Sequence, residues 1–199
     1  RNRIFSTGHM TCLLDHNYEP DARFVAYHES RARGGAGLII TEAAKLHPST
    51  GKRNLDASND SCIPGYRRVA EAVQKHGCAI FGQLGHAGVY GITTGDGTLG
   101  VAYGPSQARA ERTHNVSREM PKAFVREIIA AYGTAAGRMQ KAGLDGVEIL
   151  ASHSLLPAQF INPNLNKRTD EYGGSFENRM HFLNETIAAV RENVGSDIV

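Results

Sequence analysis

Gly37-Leu38-Ile39-Ile40-Thr41-Glu42, set just after the double glycine Gly34-Gly35, is the stretch that decides the fold. It is apolar without alternation, the pattern of a parallel strand covered on both faces rather than of a sheet with one wet side. Upstream, Pro20 to Arg33 places Phe24, Val25, Tyr27 and His28 on one helical side, and Gly34-Gly35 stops the helix. Before that helix, Ile4-Phe5-Ser6-Thr7-Gly8 is a short apolar run closed by glycine, a candidate first strand. Strand, helix and strand in this order make a βαβ unit.

Downstream the unit repeats. A helix is expected from Pro64 to Lys75, stopped by Gly77, and a strand over Cys78-Ala79-Ile80-Phe81-Gly82-Gln83. After a long loop, Pro121 to Ala142 forms a second long helix in which Phe124, Ile128, Ala131, Ala135 and Met139 make an apolar stripe. Asp145-Gly146-Val147-Glu148-Ile149-Leu150 is the fourth strand. A short helical piece near Leu156 to Phe160 and a helix from about Phe176 to Asn193 follow, and Ser196-Asp197-Ile198-Val199 opens a fifth strand. Such alternation requires a parallel sheet, either a closed barrel or an open doubly wound sheet. No Gly-x-Gly-x-x-Gly follows the first strand, so the barrel is favoured. A closed (β/α)8 TIM barrel takes about 250 residues. The expectation is therefore an α/β chain holding only the N-terminal half of a barrel, strands 1 to about 5, as one partial domain over 1–199 truncated at both ends.

Composition narrows the function classes. Hydrophobic residues at 41% and charged residues at 21% suit a soluble globular protein that can bury a core. The net charge of +2 is spread along the chain without a basic run, which argues against nucleic acid. Cys12, Cys62 and Cys78 are odd in number and lack Cys-x-x-Cys spacing, so neither a disulfide framework nor a zinc site is implied and a reducing cytoplasm fits. No apolar stretch reaches the roughly 18 residues of a membrane helix.

In a parallel barrel the reactive groups lie where the strands end at their carboxyl side. Those ends carry Gly8-His9-Met10, Thr41-Glu42-Ala43, Gln83-Leu84-Gly85-His86 and Ala151-Ser152-His153-Ser154. Gln83 both donates and accepts, matching the paired acceptor and donor atoms of a flavin pyrimidine edge; capping the strand end is its alternative role. Glu42 can serve as a base, as a ligand to a ribityl hydroxyl, or as the partner of a nearby Arg. His153 can donate to a developing negative charge, or be a structural loop histidine. His9 and His86 fall on the same expected rim, yet no carboxylate stands at the spacing of a ligand motif, so no metal site is assigned. A Schiff-base lyase would want a lysine at a strand end, and the expected ends offer none.

The stretch Asp145 to Arg179, above all Asn166, Arg168, Asp170, Tyr172, Gly173, Gly174, Ser175, Asn178 and Arg179, resembles the old yellow enzyme family of FMN-dependent NADH:flavin oxidoreductases. Gln83-Leu84-Gly85-His86-Ala87-Gly88 and the Asn2-Arg3-Ile4 start are similar to it as well. Ser152-His153-Ser154 and Leu156-Pro157-Ala158-Gln159-Phe160 look nearest the branch that contains dienoyl-CoA reductases, trimethylamine dehydrogenase and N-methylproline demethylases.

The resemblance implies FMN held by Gly8, His9 and Met10 through mainly backbone contacts, by Ala43 beside the ring and by Gln83 on the pyrimidine edge. It places His153 over the substrate side as the catalytic group, with a small-molecule substrate and NAD(P)H as a candidate electron donor. It also allows a 4Fe-4S cluster in the full-length protein, though not in this chain, and a homo-oligomer. Leu150 and Leu155 stand where a substrate-binding histidine and a proton-donating tyrosine are usual. Neither can transfer a proton, so oxidation of an amine or N-methyl group becomes the sharper expectation beside reduction of an activated alkene. The rival expectation is a non-catalytic barrel piece that acts only in interaction or assembly. Asn166, Arg168, Asp170 and Arg179 are expected to tie the loop after the fourth strand to the next helix, with Ser175 as its N-cap.

Overall fold

Burial on both faces gives the central strands their continuous apolar runs, and the helices around them need only one apolar arc each. The computed structural model describes residues 2–51, 55–91, 100–111 and 115–199. In chain order the elements are β1 (Phe5–Ser6), α1 (Ala22–Arg33), β2 (Leu38–Lys45), α2 (Cys62–Gln74), β3 (Ala79–Gly85), β4 (Tyr103–Gly104), β5 (Arg118–Glu119), α3 (Lys122–Lys141), β6 (Gly146–Ile149), α4 (Leu156–Ile161) and α5 (Phe176–Val194).

β1, β2, β3 and β6 pair in parallel in the order of the sequence. A doubly wound sheet reverses its strand order at a switch point, whereas a barrel steps round in one direction. Right-handed crossovers stepping one way place the helices on one side of the sheet, and α1 packs on α2, α2 on α3 and α3 on α5. The architecture is the N-terminal part of a (β/α)8 barrel. Beyond α5, the Val147 N–H donates to the Val199 carbonyl at 2.8 Å and the Val199 N–H to the Asp145 carbonyl at 3.1 Å. Val199 thus begins a ladder beside β6, where a fifth stave belongs.

The helices start and bury themselves a little differently from the sequence expectation. Asp21 accepts from the backbone N–H of Arg23 and Phe24 (2.8 and 2.9 Å), so α1 begins at Ala22 rather than Pro20. Phe24, His28 and Ala32 form its buried stripe, while Val25 and Tyr27 are only half-buried. α2 starts two residues before Pro64, whose missing N–H costs nothing in a first turn. In α3 the buried arc is Val125, Ile128, Ile129, Tyr132, Ala135, Ala136 and Met139, with Phe124 and Ala131 half-buried. The arc is wider than one sheet demands because α3 is also covered by α5, where Tyr132 meets Phe182 edge-on.

Residues 84–120, expected as one loop, contain the short parallel pair β4 and β5; their parts at 92–99 and 112–114 lie outside the described residues, as does Arg1. Two-residue strands are too short to show a period in sequence. Arg168 holds this flap. Its Nη1 donates to the carbonyls of Pro105 (3.0 Å) and Met120 (2.7 Å), and its Nη2 pairs with Asp170 at 2.6 Å. Of the four residues expected to tie the loop to the next helix, Arg179 makes that tie, its Nε donating to the Ile161 carbonyl (2.7 Å), while Asn166 bonds the carbonyls of Phe160 and Tyr172 (2.7 Å each) and Arg168 pairs with Asp170 within the loop. Ser175 caps α5 by accepting from the Asn178 N–H.

Candidate active site

β2 carries the local feature that shapes the strand ends. Ile40 pairs with Phe81 but Ala43 pairs with Gln83, so β2 has one residue more than β3 across this step. Such a bulge re-aims side chains. Thr41 turns to β3, where its Oγ1 accepts from the Gln83 N–H at 3.3 Å, and Glu42 joins the wall of a cleft that also contains Ala43.

That cleft, about 350 Å³ in volume, is lined by Gly8, His9, Met10, Glu42, Ala43, Gln83, Leu150, His153 and Leu155. Gly8, His9, Met10, Ala43, Gln83 and His153, drawn from four strand ends, therefore share one space. The volume lies in the range of about 300–1,000 Å³ usual for ligand pockets. Gly8 is needed for the close approach on one side: a Cβ there would lie 2.6 Å from the Thr41 carbonyl oxygen and 2.7 Å from Gln83 Nε2.

Gln83 is buried, and its Nε2 donates to Glu148 Oε1 at 2.5 Å. A carboxylate partner fixes the amide's orientation, because only the nitrogen can face it. Glu148 lies directly opposite Gln83 in the β3–β6 register. Sequence reasoning missed it because that register is not a local signal. Glu42 is also buried. Its Oε2 accepts from the Thr11 backbone N–H and from Thr11 Oγ1, while Oε1 has no hydrogen-bond partner among the described residues. The partner of Glu42 is thus a threonine, not an arginine. An unmet buried acceptor costs roughly 1–3 kcal/mol, which a ligand donor would recover.

The histidines separate. The His9 ring turns back onto α1, with Nδ1 against the Thr7 carbonyl (3.1 Å) and Nε2 against the Tyr27 hydroxyl. His153 is exposed at the mouth, its Nδ1 2.8 Å from Ser152 Oγ. His86 departs from the expected rim and is fully buried outside the cleft. Its Nδ1 accepts from the Gly88 N–H (3.0 Å), which leaves the proton on Nε2 to be donated to Ser49 Oγ (2.8 Å). Burial first, and the neighbouring His47 second, push its pKa down to about 3, so it is a neutral imidazole at ordinary pH. Among the described residues no three His, Cys, Asp or Glu side chains gather as a metal site.

One strand end carries a lysine after all. β2 continues to Lys45, two residues past its bulge. The Lys45 ammonium is buried against Asp56 at 2.8 Å and does not line the cleft, so it is an ion-pair partner rather than a free amine. Among the described residues no disulfide links Cys12, Cys62 and Cys78, and no helix is long and apolar enough to cross a membrane.

Chemically the cleft offers an amide donor and acceptor at its floor, an unmet carboxylate oxygen on one wall, apolar Met10, Leu150 and Leu155, and one exposed imidazole. Known proteins share this frame. The model of the NADH:flavin oxidoreductase / NADH oxidase family matches residues 1–199. A metal reductase of Desulforamulus reducens is 42% identical over 200 residues, covering 99% of this chain and 29% of that protein. An N,N-dimethylglycine/sarcosine dehydrogenase of Chromohalobacter salexigens is 34% identical over 203 residues, covering 100% of this chain and 29% of that protein. Among solved structures, a 2-naphthoyl-CoA reductase in complex with 2-naphthoyl-CoA superposes with a TM-score of 0.91 at 28% identity, covering 99% of this chain and 32% of the other. The chain thus spans less than a third of the length of these relatives. With the whole chain matched and the strand order of the barrel in place, the chain belongs to the NADH:flavin oxidoreductase / NADH oxidase family.

Proposed function

We propose that the complete protein is an FMN-dependent oxidoreductase that moves hydride between a small-molecule substrate and the flavin, with NAD(P)H as an electron donor. The observation that carries this reading is the single cleft into which Gly8, His9, Met10, Ala43, Gln83 and His153 converge. Bound FMN would supply a hydride acceptor and donor that no side chain can provide.

The residues present suit that group. Gly8 lets the backbone of 8–10 lie close along one face without a side chain intervening, and Gln83 presents the acceptor and donor of an oriented amide. Glu42 Oε1 is an acceptor awaiting a hydroxyl of the kind a ribityl chain carries. His153, at the open side, is the group to orient a substrate carbonyl or carboxylate, or a nicotinamide carboxamide. The cysteines are separated, Cys12 exposed and Cys62 and Cys78 in the core, so a 4Fe-4S cluster in the full-length protein would draw its ligands from elsewhere.

Leu150 and Leu155 in the cleft wall favour oxidation of an amine or N-methyl group over reduction of an activated alkene, since neither can hand over a proton. The relative named as an N,N-dimethylglycine/sarcosine dehydrogenase supports this direction. The test is an absorbance scan of the purified full-length protein, followed by anaerobic mixing with sarcosine, N,N-dimethylglycine or 2-cyclohexenone plus NADH. We expect a yellow protein bleached by the N-methyl amines. A colourless protein that also fails to take up added FMN would return the non-catalytic reading.

A further inference from the structure

His153 and Ser154 both have positive φ, 55° and 57°. L side chains rarely adopt that conformation, and two in succession persist only where the surroundings hold them. Within the turn, the Leu155 N–H donates to the Ser152 carbonyl at 3.0 Å and Ser152 Oγ meets His153 Nδ1. From outside, the turn is held by Gln159 on α4, a fully buried side chain.

The Gln159 carboxamide uses both its hydrogens and its oxygen. Nε2 donates to the Ser154 carbonyl (2.6 Å) and to the Ala87 carbonyl (3.0 Å), while Oε1 accepts from the Val89 N–H (3.0 Å). One amide therefore joins the turn that carries His153 to the loop that follows β3. Gly88, with φ of 60°, makes this closure possible, since a Cβ there would lie 2.0 Å from Gln159 Oε1. Because β3 carries Gln83 and β6 leads into His153, the joint sets the offset between the two sides of the cleft.

We propose that Gln159 is a positioning residue for His153, a role that rests on reading His153 as the substrate-side donor. The turn keeps its left-handed pair, and the imidazole its place at the mouth, because the Gln159 amide fixes the carbonyl that follows. A glutamine that merely stabilised the fold would lower stability without acting through the histidine.

The experiment uses the full-length, FMN-loaded protein with His153→Ala, Gln159→Leu and the double variant, and reads anaerobic bleaching by NADH, FMN occupancy and a crystal structure of the Gln159→Leu protein. We expect each single change to slow bleaching about tenfold with FMN retained, the loss of one hydrogen bond's contribution. The double variant should be no slower than His153→Ala alone, the non-additivity of residues acting as one unit. The crystal structure should show His153 and Ser154 out of the positive-φ region. A double variant slowed by the product of the single effects, or an unmoved turn, would overturn the proposal. Unchanged bleaching in His153→Ala would instead sink the reading of His153 itself, and the positioning role with it. Should Gln159→Leu not fold, Gln159→Glu keeps the shape and the acceptor for Val89. Its rate should recover as falling pH protonates the buried acid and restores a donor, and no such recovery would also count against the role.

Discussion

His28 is buried in α1, stacked edge-on against Phe24 and Tyr27, and neither ring nitrogen has a hydrogen-bond partner among the described residues. Burial first, then the charge of Arg31, lowers its pKa to about 4. Its folded-state pKa therefore lies below the unfolded value of about 6.5, so the unfolded chain binds more protons between these values and stability falls as pH falls. His86, at about 3, acts in the same direction. We expect denaturant midpoints to drop between pH 7 and 5, with His28 alone contributing about 2 kcal/mol. A His28→Phe variant should lose that share of the pH dependence; an unaltered slope would show the imidazole to be solvated. At Gly8, a valine would push its Cβ into Thr41 and Gln83. The expected outcome for Gly8→Val in the full-length protein is FMN affinity lowered at least about tenfold, read by flavin fluorescence titration. Residue identities at the strand ends were legible in the sequence, but directions were not. Gln83 faces the cleft as expected, whereas His86 points into the core because its ring is satisfied by Gly88 and Ser49.

Among the elements, the joints matter more than the strands and helices themselves. Arg168 is nearly fully buried and binds Asp170, Pro105 and Met120 at once, so it carries both the flap of β4 and β5 and the loop after β6. Asp170 is held below the usual carboxylate range chiefly by its hydrogen bond from Arg168. Removing one partner of a buried pair strands the other, and Arg168→Met should destabilise the protein by about 3 kcal/mol in chemical denaturation. A loss under about 1 kcal/mol would mean that solvent already reaches the pair. Asp21→Ala should cost about 1 kcal/mol through the N-cap of α1, with no effect on bound flavin. Helix and strand order followed from periodicity. The β2 bulge and the β4–β5 pair did not, since one added residue or a two-residue strand leaves no period to read.

For the whole molecule, β1 is an edge strand of the described sheet, with Phe5 56% exposed, while Val199 pairs beside β6. An edge strand presents unpaired N–H and C=O groups to another chain, and the phosphate site of a (β/α)8 barrel is frequently built from the loops after strands 7 and 8. Residues 1–199 expressed alone should therefore take up FMN far more weakly than the full-length protein and associate through the β1 edge, to be measured by flavin titration and light scattering. Equal FMN affinity of the two would show that four staves suffice for the site. The sequence by itself determined the alternation of strand and helix and carried the family motif, because each is written in local periodicity or in a continuous stretch; that the strands step round in one direction was decided by the order of the sheet. Only the tertiary structure decided that Glu148 answers Gln83, that Lys45 is spent on Asp56 and that Gln159 grips the His153 turn. Gln83 meets Glu148 65 residues on and Gln159 reaches back 72 residues to Ala87, and where a strand side chain points depends on sheet register, in which a slip of one residue exchanges the faces.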